Sequence, residues 1–106
     1  MKVLVCGGRN YSNKEVLYKV LNVISDVYNI EVIISGAAKG ADTLAAQWAK
    51  DNNIKLQEYP ADWNAHGKSA GPIRNKQMID EGCPDLVVAF PGGSGTANMI
   101  KQSKKS

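Results

Sequence analysis

The sequence predicts an α/β fold, an open parallel sheet of about four strands with helices on both faces. Two observations carry that expectation. Short, continuous apolar runs alternate with segments whose apolar residues repeat at helical period, and three of the runs end beside glycine. A strand covered on both faces stays apolar along its whole length, as strands of a parallel sheet do. The 106 residues suffice for one domain with its own core and are too few for two, so residues 1–106 are read as a single unit.

Val3-Leu4-Val5-Cys6 is the first run, closed by Gly7-Gly8. Ser12 and Glu15 then stand at capping-box spacing, and apolar residues at 16, 17, 20, 21, 24, 27 and 28 make one stripe, which predicts a helix over 13–28. Ile30 to Ile34 is β-branched, ends at Ser35-Gly36, and is expected in the middle of the sheet. Ala41, Leu44, Ala45 and Trp48 repeat as i, i+3, i+4 and i+7, predicting a second helix to about Asn52. Ile54 to Tyr59 supplies a third strand. The polar stretch from Pro60 to Ala70 reads as a loop of functional length. Pro72 suits the first turn of a helix from Gly71 to Glu81, with Gly82 as its stop. Asp85 to Phe90 is the fourth strand, and 91–96 leads into a last helix that ends in lysines.

With 43% hydrophobic and 22% charged residues, the composition excludes a disordered chain and a coiled coil. The apolar stretch at Met1 to Cys6 is too short for a secretory core or a membrane span, so a cytoplasmic location and no membrane partner are expected. Cys6 and Cys83 lack CxxC spacing and are read as reduced, small apolar residues. The net charge of +3 comes mostly from scattered lysines and from Lys101, Lys104 and Lys105, which suit a helix end; no nucleic-acid partner is expected from it.

Four segments are candidates for chemistry. Gly7-Gly8-Arg9 lets a ligand approach the backbone and offers a guanidinium that can clamp a phosphate. Ser35-Gly36-Ala37-Ala38-Lys39-Gly40-Ala41-Asp42 resembles a phosphate loop without the GxxxxGK[ST] spacing of a nucleoside triphosphatase. There Gly36 and Gly40 would expose N–H groups, Ser35 would add a hydroxyl, and Asp42 is either a first-turn acid or a ribose acceptor. Pro91-Gly92-Gly93-Ser94-Gly95-Thr96 stands between a buried strand and a helix start, where a phosphate gains N–H groups and dipole. In the loop from Trp63 to Arg74, a cation early in a helix opposes the dipole, so Arg74 calls for an anion, a ligand phosphate or an acid such as Asp62. Trp63 is placed to stack on a base or to cover a core edge. His66 is the only histidine and reads as a surface residue, leaving no multi-histidine metal site. No catalytic set stands out beyond the lone acids Asp42 and Asp62.

Cys6-Gly7-Gly8-Arg9, Ser35 to Asp42, Gly71-Pro72-Ile73-Arg74-Asn75 and Pro91 to Thr96 together resemble the SLOG superfamily, in the branch of small bacterial and phage proteins related to YspA and YpsA. The resemblance covers almost the whole chain and implies a Rossmann-like sheet holding a nucleotide. It implies phosphate contacts from Gly92, Gly93, Gly95 and Thr96, with Gly8, Arg9, Ser35 and Gly36 opposite, and matches Arg74 and Asn75 to the branch pattern. Lonely-guy phosphoribohydrolases of that superfamily carry PGGxGTxxE, whereas Met99 stands here in place of the glutamate. Relatives continue after the last helix into a further strand, whereas this sequence stops at Lys104-Lys105-Ser106. A bare sheet edge and a homo-oligomer are the resulting expectations.

The leading functional expectation is a module that senses or sequesters a nucleotide or an NAD-derived, ADP-ribose-type phosphate. The sequence assigns no cofactor beyond such a nucleotide or ADP-ribose-type ligand. The alternatives are cleavage of the N-glycosidic bond of a nucleoside monophosphate, assisted by Asp42 or Asp62, and DprA-like binding of single-stranded DNA.

Overall fold

The computed structural model describes residues 1–105. The chain runs β1 (Lys2–Cys6), α1 (Lys14–Val27), β2 (Val32–Ser35), α2 (Ala41–Asp51), β3 (Lys55–Glu58), α3 (Trp63–His66), a 3-10 turn (Gly67–Ser69), α4 (Ala70–Gly82), β4 (Leu86–Ala89) and α5 (Ser94–Lys105). All four strands pair in parallel, in the order β3-β2-β1-β4. Val3 of β1 lies opposite Ile33 of β2 on one side and Leu86 of β4 on the other. The fold is the expected Rossmann-like one, with β2 and β1 interior and β3 and β4 at the edges.

Strand alternation sorts the core into two layers. On one face Val3, Val5 and Ile33 meet Leu17 and Leu21 of α1 and Ala45 and Trp48 of α2. On the other, Leu4 and Ile34 meet Met78 of α4 and Met99 of α5. Successive connections step outward from β1 to β3 and then return across the sheet to β4, and with crossovers of one hand such a reversal moves the helices to the opposite face. Trp48 Nε1 donates to Asn22 Oδ1 at 2.9 Å, and the Tyr18 hydroxyl to Asp51 Oδ2 at 2.8 Å, so α1 and α2 are fixed side by side.

Four local expectations are corrected. The cap of α1 is Asn13, whose side chain accepts from Val16 N–H at 3.1 Å, and Ser12 lies outside the helix. Gly82 belongs to α4, packed so that a Cβ on it would stand 3.0 Å from Ile34 Cδ1, and the helix ends instead at Cys83, in the left-handed region at φ 48°. The stretch from Pro60 to Ala70 is not all loop: Asp62 accepts from Ala65 N–H at 3.0 Å and caps the short α3, which the 3-10 turn joins to α4. That capping role takes Asp62 away from Arg74. Among the described residues, no helix is long and apolar enough to cross a membrane.

Candidate functional site

The loop after β1 leads to the α1–α2 face and the loop after β4 leads to the α4–α5 face, so the carboxyl ends of these neighbouring strands part around a crevice. In open α/β sheets this reversal point is where ligands bind. A cleft of about 770 Å³ opens there. Cys6, Asp42 and Met78 line its inner part, Gly7, Gly8 and Arg9 one wall, and Gly93, Ser94, Gly95 and Thr96 the other. A smaller hollow of about 470 Å³ between α2 and β3 is reached by none of the glycine-rich loops.

The loops interlock through backbone. Gly8 N–H donates to Pro91 O at 2.9 Å, and a Cβ on Gly8 would stand 2.9 Å from both Gly92 Cα and Pro91 O. Gly92 in turn faces Thr96 Oγ1 and Gly8 N too closely for any side chain. Gly7 is closed by Ala41 Cβ and Phe90, and Gly40 by the Gly8 and Arg9 carbonyls. Packing therefore accounts for these four glycines. It does not account for Gly93 and Gly95: a Cβ at either would meet nothing within 4 Å, and neither is among the positive-φ residues.

The loop before α2, expected to offer free N–H groups, has several of them taken from within. Ala37 N–H donates to Ser35 Oγ at 3.2 Å, Ala38 N–H to Asp42 Oδ2 at 3.1 Å and Ala41 N–H to Gly8 O at 3.2 Å. Gly36 O accepts from Arg74 Nη1 at 2.6 Å. Asp42 is thus more than a first-turn acid, since its carboxylate closes the loop before its own helix. Burial pushes its pKa above the ordinary carboxylate range, against the backbone N–H groups of Ala38 and Gly36 and the Arg74 guanidinium, which pull it down. The acid that balances Arg74 is therefore Asp42 rather than Asp62. Burial lowers the Arg74 pKa, yet a guanidinium remains charged. Burial likewise pushes the Cys6 thiol up to about 11, which keeps it protonated and unreactive.

Arg9 lies over the Trp63 ring at 5.3 Å from its centroid, so a cation and an exposed aromatic face meet at the mouth of the cleft. Asn75, 3% exposed, donates from Nδ2 to Gly95 O at 3.1 Å and to Asn98 Oδ1 at 3.2 Å, and its Oδ1 accepts from Arg74 Nε at 3.0 Å. One amide thereby ties α4 to the first turn of α5. Asn75→Ala is expected to cost about 1–3 kcal/mol, because it leaves buried partners unsatisfied; a urea titration measures it, and a loss below a few tenths would contradict this role.

Of the residues singled out in the sequence, Gly7, Gly8, Arg9, Asp42, Trp63, Arg74, Asn75, Gly93, Ser94, Gly95 and Thr96 line the cleft together. Ser35, Gly36, Lys39, Gly40, Pro91 and Gly92 do not. Ser35 is fully buried, Lys39 is exposed on the loop, and Gly36, Gly40 and Gly92 act as close-packing positions behind the wall. Asp62 stays outside as a helix cap. Sequence reasoning missed the polar Asn10, Lys68 and Asn98 as lining residues, together with Cys6, Ala38, Gly71, Pro72 and Met78. Asn98 was within reach of it, lying one helical turn beyond Gly95 on the same face; Lys68 had no such periodic neighbour. Met99 is fully buried in the apolar layer with Leu4 and Met78, so the position of the hydrolase glutamate is a core position here.

A family model described as "YAcAr: YspA, cpYpsA-related SLOG family" matches residues 1–66, from β1 to the end of α3. The chain is similar to the "Gene 61 protein" of Mycobacterium phage D29, at 32% identity over 114 residues, covering 99% of this chain and 90% of that protein. No solved structure matches significantly. The family match takes in the wall built by β1 and α2, and the likeness to the phage protein runs on through β4 and α5; the chain belongs to the YspA, cpYpsA-related SLOG family.

Proposed function

We propose that the cleft binds a nucleotide or a nucleotide-derived phosphate, of the ADP-ribose type, and that the protein senses or sequesters it. Membership of the SLOG family points to a nucleotide-related ligand at a coarse level. The observation that carries the reading is Gly93 and Gly95, glycines that neither packing nor φ requires, at the start of α5 and facing the cleft. Missing side chains there leave room for a phosphate to reach the first N–H groups of a helix, where unpaired donors and the dipole favour an anion. Arg9 and Arg74 supply cations on the same cleft, and Trp63 offers a face for a base.

The test is calorimetric titration and thermal shift with AMP, ADP-ribose and NAD. A ligand present at a hundred times its Kd should stabilise the fold by about 2.7 kcal/mol. Gly95→Ala should act with opposite signs on the two properties: the free protein gains about 0.4–1 kcal/mol, because the unfolded chain loses freedom, while ligand affinity falls. Failure of all three compounds to shift the melting temperature at millimolar concentration would overturn the reading.

One observation favours a second reading, cleavage of the N-glycosidic bond of a nucleoside monophosphate. Asp42 lines the cleft with its pKa raised, as suits a proton donor. Base release from AMP, lost in Asp42→Asn, would support it; no release by the wild-type chain would remove it.

A further inference from the structure

α1 buries Leu17 and Leu21 against the sheet, and beside that core face it carries a second apolar line. Val16, Val20, Val23 and Val27 are spaced four, three and four residues apart. At 3.6 residues per turn they fall within an arc of roughly 60°. Val20 is half-buried, whereas Val16, Val23 and Val27 are 43%, 56% and 69% exposed. Tyr18 and Asn22, which bond to α2, point the opposite way around the helix. The valines therefore face away from α2, toward the side of the sheet where β4 ends it. Single exposed valines are ordinary, but a contiguous line at heptad spacing marks a surface that another helix covers.

We infer that this line is a homodimer interface in which α1 packs antiparallel against α1 of a second copy. The spacing is its own mirror image: in an antiparallel pair Val16 meets Val27 of the partner copy and Val20 meets Val23, each contact occurring twice, as a two-fold interface requires. The charges beside the line select the same arrangement. Lys19 and Asp26, both exposed, each precede a valine of the line by one residue. Antiparallel packing brings Lys19 of one copy beside Asp26 of the other, twice. A parallel pair would instead set Lys19 beside Ile24 of the other copy and leave both charges without a counter-charge. The surface is independent of the ligand cleft, which opens beyond the carboxyl ends of the strands.

Sedimentation equilibrium of the full chain tests the inference. At about 100 µM, well above the micromolar range of modest helix interfaces, the chain should sediment at twice its 11.4 kDa mass. Val23→Glu, at an exposed position, should give a monomer with unchanged circular dichroism. Lys19→Asp and Asp26→Lys should each weaken the dimer about tenfold by setting like charges together, and the double variant should restore it. A wild-type chain that sediments as a monomer at that concentration, a dimer untouched by Val23→Glu, or a double charge reversal that fails to restore association would each overturn it.

Discussion

Gly40→Ala is expected to lower stability by at least about 3 kcal/mol, and the melting temperature by roughly 15 °C. Gly40 caps α2 at φ 76° and ψ −123°, a conformation that residues with a side chain rarely adopt. A Cβ there would also run into the Gly8 carbonyl oxygen and come within 2.6 Å of Arg9 O. Both obstacles are backbone, so no rotamer change relieves them. The Ala41 N–H to Gly8 O bond at 3.2 Å would be strained at the same time, and that bond joins the loop after β1 to the head of α2. Gly93→Ala is the control: nothing lies within 4 Å of its Cβ, and stability should hold within about 0.5 kcal/mol. Thermal melts of the two variants suffice, and a Gly40→Ala loss below about 1 kcal/mol would show that the loops are not locked as described.

Arg74→Ala is expected to cost about 2 kcal/mol at neutral pH, with a deficit that shrinks on acidification. The guanidinium donates to Gly36 O at 2.6 Å and to Asn75 Oδ1 at 3.0 Å. It also moderates the charge of Asp42, whose pKa burial has raised. A carboxyl with a raised folded-state pKa contributes stability that is full below its unfolded value and lost as pH rises through the folded one. Removing Arg74 raises the folded value further, so the loss in the variant continues to higher pH than in the wild type. Urea midpoints compared at neutral pH and within the ordinary carboxylate range should therefore differ more at neutral pH, at constant m-value. Asp42→Asn in the Arg74→Ala background should recover part of the loss. A deficit that does not change with pH would show that Arg74 acts through its hydrogen bonds alone.

Much of this fold was legible in the sequence because two of its strands, β1 and β2, are interior and continuous. Val3 to Cys6 and Ile30 to Ile34 need no alternation to be recognised when both faces are covered. The glycine-rich strand ends pointed, for the same local reason, to the edge of the sheet where the cleft opens. What escaped was non-local. Gly36 and Gly40 read as anion-binding glycines, and the sequence gives no sign that Arg74 and the Gly8–Arg9 backbone, from distant parts of the chain, also leave no room for a side chain there. The acid beside Arg74 was sought at Asp62, near in sequence, whereas the fold supplies Asp42 from another helix. The short α3 has only one turn and no apolar period to announce it; a single capping carboxylate, Asp62, starts it.

The strand order also bears on how the protein is made. Among the strands of this sheet β1 leaves the ribosome before the others, and one of its two neighbours, β4, after them. The main-chain N–H of Lys2 is held by the side chain of Asp85 at 2.7 Å, across 83 residues of sequence. Contacts so distant close slowly, and until they close, one side of the first strand stands open to pairing with other chains. A nascent chain as far as α3 has β2 and β3 in place beside β1 but neither β4 nor the helix that follows it. The cleft, one wall of which comes from the loop after β4 and the start of α5, is thus a late product of synthesis, completed only in the final step of folding.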